Sequence, residues 1–159
     1  MYLGKLLTIK GGYIFYDKGI YSDGWRYLEA APVSTEWNDK EWGLQNLIVG
    51  TETGIGTGQS NTIKIVTLLN SYSETGKAAQ ICDTLVYGDY SNWFLPSKDE
   101  LNLMYENLKV HGVGGFTDGT YWSSSEASAS GAEYQLFHNG NQSNCPKSNG
   151  NRVRAVRAF

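Results

Sequence analysis

The residues with the most evident chemical potential lie in the last third of the chain. Residues 127 to 151, ASASGAEYQLFHNGNQSNCPKSNGN, hold five asparagines in 25 positions, against seven in the other 134. Asparagine is a weak strand former, so its concentration beside strand-like segments asks for a cause. Composition alone points to a long turn-rich loop, in which asparagine serves backbone geometry. Periodicity adds a second reading. Tyr134, Leu136 and His138 alternate with Gln135 and Phe137, so a Phe137 turned to the core leaves an aromatic, an aliphatic and a histidine together on the opposite face. That mixture is expected of a binding surface more than of a solubilising one.

Other residue patterns exclude chemistry. Cys82 and Cys145 stand 63 positions apart, without a CxxC or paired histidines, which removes a zinc framework and a thioredoxin-like motif. Two free thiols are expected, and a disulfide only if the fold brings them together. The glycine-rich run GIGTGQSNT (Gly54 to Thr62) lacks the Lys-Ser/Thr ending of a phosphate-binding loop and is read as structural. Trp37-Asn38-Asp39 spells a triplet that supplies calcium ligands in sugar-binding lectins. Here it sits in the first third of the chain with no companion Glu-Pro-Asn, and is read as coincidence. His138 has no Ser, Cys or carboxylate partner visible in sequence, and His111 is expected at the surface behind a helix. No catalytic residue, metal or cofactor is expected. The formal charge of −3 argues against a nucleic-acid partner, although Lys147, Arg152, Arg154 and Arg157 form a local basic tail without an acid.

The elements that must position this tract follow from composition and pattern. With 159 residues, 40% of them hydrophobic and 21 aromatic, the chain has enough surface to bury for one globular domain spanning 1–159. Nineteen glycines and three prolines predict many tight turns and a loop-rich α+β fold. No stretch reaches the ~18 apolar residues needed to cross a bilayer, and the opening MYLGKLLTIKGG is too short in apolar core for a signal peptide. A soluble protein is expected, or one domain of a longer surface or virion protein, with no membrane insertion. Gly11 to Gly19 reads as a strand buried on both faces, and Gly24 to Pro32 as a second strand or a short helix. Three helices are predicted. One is capped by Asn61 and buries Ile65, Val66 and Leu69; one carries Ala78, Cys82, Leu85 and Val86 up to Gly88; one opens on the capping box Ser97/Glu100 and buries Leu101, Met104, Tyr105 and Leu108. TYWSSSE, AEYQLFHNG and RVRAVRAF then read as strands, the last one pairing inside a sheet with GGYIFY.

Five segments carry a resemblance: GGYIFYDKG near the start, Trp42-Gly43, NWFLPSKDELNLMYENL (Asn92 to Leu108), YWSSSE (Tyr121 to Glu126) and the closing RVRAVRAF. In order and over nearly the whole chain, they resemble the DUF1566 family, which includes the C-terminal domain of the Legionella collagen-like adhesin. The resemblance implies a C-type lectin fold of the formylglycine-generating-enzyme-like subtype, with paired terminal strands and two to three helices. It is closest to members that serve as variable proteins of diversity-generating retroelements, in which template adenines are randomised and the products displayed near the C-terminus. Glu133 departs from the tryptophan expected there, which leaves the start of that strand open.

The resemblance implies a non-enzymatic display protein with a variable region at about 121–159, binding a protein or cell-surface ligand. The positions it marks are Ala127, Ser128, Ala129, Ser130, Gly131, Tyr134, Leu136, His138, Asn139, Asn141, Ser143, Asn144, Cys145, Pro146, Ser148, Asn149, Gly150 and Asn151. Randomising the adenines of an asparagine codon that ends in a pyrimidine never yields Lys, Glu, Gln, Trp or Met. All the marked residues fall inside the permitted set, while Glu133, Gln135, Gln142 and Lys147 fall outside it, as fixed scaffold would. Tyr134 is the expected anchor. The alternative is an adhesin of fixed specificity for sulfated, polyanionic glycans, using Lys147 and the terminal arginines as donors.

Overall fold

The computed structural model describes residues 11–159; the reading of the opening MYLGKLLTIK as no signal peptide falls outside them. The described chain is α+β, as expected, with eight strands in two sheets and three α-helices. The first sheet has the order β1 (Tyr13–Ser22), β2 (Trp25–Ala30), β8 (Val156–Ala158). The second has the order β3 (Trp37–Lys40), β7 (Asn151–Val153), β4 (Thr120–Glu126), β5 (Gly131–Leu136), β6 (Gln142–Pro146). Helices α1 (Gly58–Ser71), α2 (Ala78–Asp83) and α3 (Lys98–Asn107) lie between β3 and β4 in the chain. Among the described residues no helix is long and apolar enough to cross a membrane.

The closing octet differs from the single strand expected. It breaks after Val153, where the Arg154 guanidinium turns inward to donate to the carbonyls of Ala31 and Gly114 and to Glu36. The halves therefore join different sheets: β7 lies beside β3 and β4, and β8 beside β2. β8 does not meet β1, because β2 stands between them. Val156 is still paired on its second side, by a bridge to Phe94.

Two apolar clusters fill the interior. One gathers Trp42, Trp122, Leu69, Ile65 and Cys82 between the larger sheet and α1/α2. The other gathers Phe15, Leu28, Leu101, Met104, Tyr121 and Phe137 around α3. Phe137 is fully buried, with the Tyr121 ring centroid 4.3 Å away and Tyr105 edge-on at 5.5 Å, so the condition on which the alternation is read is met.

α3 begins on the predicted box, Ser97 accepting from the Glu100 amide and Glu100 Oε2 from the Ser97 amide at 2.7 Å. Glu100 does more than cap. Its Oε1 accepts the Gly56 amide at 2.8 Å, so the glycine-rich run wraps the protein's own carboxylate where a phosphate loop would wrap its ligand. Gly58 allows the approach, since a Cβ there would meet Phe94 at 2.8 Å and the Leu95 carbonyl at 3.0 Å. Helix α1 starts at Gly58, earlier than predicted. Asn61 is no cap but a buried tie, bonding both main-chain groups of Glu52 and the Ser124 hydroxyl. α2 stops at Asp83, short of the predicted Val86, which is exposed.

Candidate functional site

The candidate surface is built on the β5–β6 hairpin. Its register pairs Gly131 with Pro146, Ala132 with Cys145, Glu133 with Asn144, Tyr134 with Ser143 and Gln135 with Gln142. Directly opposed residues share a face, so Tyr134, Leu136, Asn141, Ser143 and Cys145 stand on one side of the hairpin. Glu133, Gln135 and Gln142 stand on the other, toward α3.

On that second side Glu133, Gln135 and Gln142 are anchored, while Asn144 and Pro146, which share it by register, are exposed. Buried Gln135 donates to Asn102 Oδ1 at 2.7 Å and to the Gly140 carbonyl at 3.0 Å. Gln142 donates to the Lys98 carbonyl at 2.9 Å, and Glu133 pairs with the Lys98 ammonium at 3.2 Å. Glu133, Gln135 and Gln142 thus tie the hairpin to the N-terminal half of α3 or to its own turn. Glu133 is in register within β5, which resolves where that strand starts.

Lys147 is the most deeply set of the four. It is fully buried, its ammonium 2.5 Å from Glu126 Oε1 and 2.7 Å from the Leu47 carbonyl, and lies over the Trp42 ring. Its main chain receives the Trp42 amide and donates to Ser130, binding the loop after β6 to the loop before β5. Glu126 completes the node by accepting the amides of Val49 and Gly50. A buried charge so satisfied fixes geometry more than it adds net stability.

The marked positions do not form one flat face. Ala127, Ser128, Ala129 and Ser130 make the loop at one end of the hairpin, beside Ser148, Asn149 and Gly150. His138 and Asn139 make the turn at the other end, roughly 20 Å away for strands of this length. Asn144 and Pro146 lie on the outer edge strand β6. Most of the marked side chains are exposed, while Ala129, Ser130, Tyr134, Leu136 and Cys145 are half-buried.

Two marked positions are buried, and half-buried Tyr134 and Cys145 pack against the first apolar cluster. Gly131 is buried, and a Cβ there would press on Ser128 Oγ at 3.2 Å. Asn151 is 8% exposed; it accepts the Thr120 hydroxyl at 2.7 Å and donates to Cys145 Sγ. Both lie where neighbouring strands converge, so the expectation of interchangeable residues is corrected at these positions. Ser128 also shapes the backbone, its hydroxyl accepting the amides of Ser130 and Gly131. Burial pushes the Cys145 thiol up from its ordinary value, and that of buried Cys82 well up; both are unpaired thiols.

The basic tail is not a surface patch. Arg154 is buried against Glu36 at 2.5 Å, and Arg157 is buried against Glu29 at 2.6 Å with its guanidinium over the Tyr90 ring. Arg152 keeps about a third of its side chain exposed but donates to Glu36 at 2.9 Å. As donors to a polyanion, Lys147, Arg154 and Arg157 are corrected by burial and internal pairing.

Residues the sequence reading set aside also border the surface. Asn38 and Asp39 of β3 lie beside Gly150, Asn151 and Arg152 and line a cleft with them. They are more than a hundred positions apart in the chain, and only the β3–β7 pairing brings them together. Among the described residues no group of three or more His, Cys, Asp or Glu side chains is placed to hold a metal ion.

Comparison with known proteins adds a fold relationship. No family model and no curated protein matches the chain. A fimbrial protein from Bacteroides ovatus has a similar structure, with a TM-score of 0.57 and 15% identity over 84% of this chain. The chain spans 36% of that protein's length.

Proposed function

We propose that this chain is a non-enzymatic ligand-binding display protein on a C-type lectin fold of the formylglycine-generating-enzyme-like subtype, with a C-terminal surface diversified by a retroelement. The observation that carries the reading is the partition described above. The marked side chains are mostly exposed on the hairpin and its loops, with Gly131 and Asn151 the buried exceptions, and the four side chains of the tract that a randomised asparagine codon cannot encode, Glu133, Gln135, Gln142 and Lys147, are all tied to the scaffold.

Such a division suits recognition. Backbone held by buried groups beneath the surface leaves little ordering to be done on binding, so affinity comes from preorganisation. Tyr134, half-buried and opposite Trp122 in the register, supplies the rigid aromatic area, with Ser and Asn side chains as adaptable donors and acceptors. The partner is a protein or another cell-surface ligand. The fimbrial likeness bears on the fold, and display at a cell or virion surface is part of the proposal. The sulfated-glycan alternative keeps only the partly exposed Arg152 of its four named donors.

The test is genomic. A near-copy of the codons for residues 121–159, carrying asparagine codons at the exposed positions and lying near a reverse-transcriptase gene, is the expected result. A complete locus without such a repeat overturns the reading.

A further inference from the structure

A cleft of about 210 Å³ opens at the border of the candidate surface, lined by Asn38 and Asp39 of β3, Gly119 and Thr120 at the start of β4, and Gly150 to Arg152 at β7. That is below the roughly 300–1,000 Å³ that encloses a whole small molecule, and it suits one side-chain head group. Its two charged residues differ in state. Arg152 is engaged by Glu36 and by Asn38 Oδ1, whereas Asp39 has no hydrogen-bond or ion-pair partner among the described residues.

Gly150 is what makes room for that carboxylate. A Cβ built on Gly150 would collide with Asp39 Oδ1 and come within 3.1 Å of Asp39 Cα. Gly150 does not need its glycine for backbone reasons, since its φ is not among the positive ones. Asp39 itself is at φ 52°, a conformation that aspartate and asparagine tolerate better than other side chains. The free carboxylate is thus held at the cleft by local geometry and by the absence of a side chain at position 150.

We infer that this cleft is a subsite for an organic cation, a guanidinium or primary ammonium as an arginine or lysine of a partner protein would present, and that Gly150 is the residue that keeps it open. The inference rests on the reading of the adjoining surface as a ligand-binding face. It adds that one contact comes from the fixed residue Asp39, with position 150 setting whether that contact is offered.

The test is a titration of the protein with N-acetyl-argininamide, N-acetyl-lysinamide and the neutral N-acetyl-citrullinamide, followed by backbone amide NMR shifts. Saturable shifts at residues 38, 39, 119, 120 and 150–152 are expected with one or both cations and not with citrulline. The stronger of the two identifies the side chain recognised. Asp39→Asn, which keeps the backbone preference, should weaken binding by up to about fivefold, the upper range for loss of an exposed ion pair. Gly150→Asn should weaken it also by displacing Asp39. Equal shifts with citrulline, no saturation with either cation, or undiminished binding by Asp39→Asn overturns the subsite. None of those results bears on the template repeat, so the display proposal fails or stands separately.

Discussion

The Lys147 ammonium and the Glu126 carboxylate meet at 2.5 Å in the interior, with 0% and 6% of their side chains exposed. The first residue of the asparagine-rich tract's final loop is therefore its most deeply buried anchor. Removing one partner strands the other charge without water. Lys147→Met is expected to cost about 3–5 kcal/mol, measured by chemical denaturation. Amide hydrogen exchange should rise in residues 147–150 before it rises in β5.

Asn151 tests the correction made to the marked positions. Asn151→Leu leaves the Thr120 hydroxyl without its acceptor and should lower stability by about 1–3 kcal/mol. Asn141→Leu, at an exposed position of the same tract, should change it by less than about 0.5 kcal/mol.

Glu100 gives a pH signature. Burial raises its folded-state pKa above the ordinary value, outweighing the amides of Ser97, Gly56 and Gly58 that favour the carboxylate. With the folded value raised, the unfolded chain ionises first as pH rises, and the group's contribution to stability falls from the ordinary glutamate range near ~4.3 up through the folded pKa. Unfolding measured from pH 4 to 7 should show wild type losing stability relative to Glu100→Gln across that window. A difference that is flat or grows with pH contradicts the assignment.

The buried tail makes a further prediction. With Lys147, Arg154 and Arg157 paired inside, the protein should not be retained on a heparin column at about 0.15 M salt. Retention there would restore the sulfated-glycan alternative.

Local signals were legible where one short segment decides the outcome. The Ser97/Glu100 box and the stripe Leu101, Met104, Leu108 each describe a single turn or face of α3, and all appear in the structure. The alternation around Phe137 is read with that residue turned to the core, and it is buried there. What was not legible depended on distant partners. Glu100 reads as a capping acid until Gly56 is brought to it, and Asn61 reads as a cap until Glu52 and Ser124 surround it. The closing RVRAVRAF reads as one strand without clean alternation, and nothing local announces that Arg154 turns inward to Glu36, Ala31 and Gly114, splitting it between two sheets. The same reason hid the cleft: Asp39 and Gly150 have meaning together only through the β3–β7 pairing.

The central claim is that the scaffold beneath the tract does not depend on the outward side chains. The direct measurement is thermal unfolding of a variant in which Ala127, His138, Asn141, Ser143, Asn144 and Ser148 are replaced together by other residues of the permitted set. A cooperative transition within about 5 °C of wild type is predicted, while Gln135→Ser alone should lower it further than that. Loss of the cooperative transition in the six-fold variant would show these side chains to be packing residues and would contradict the account.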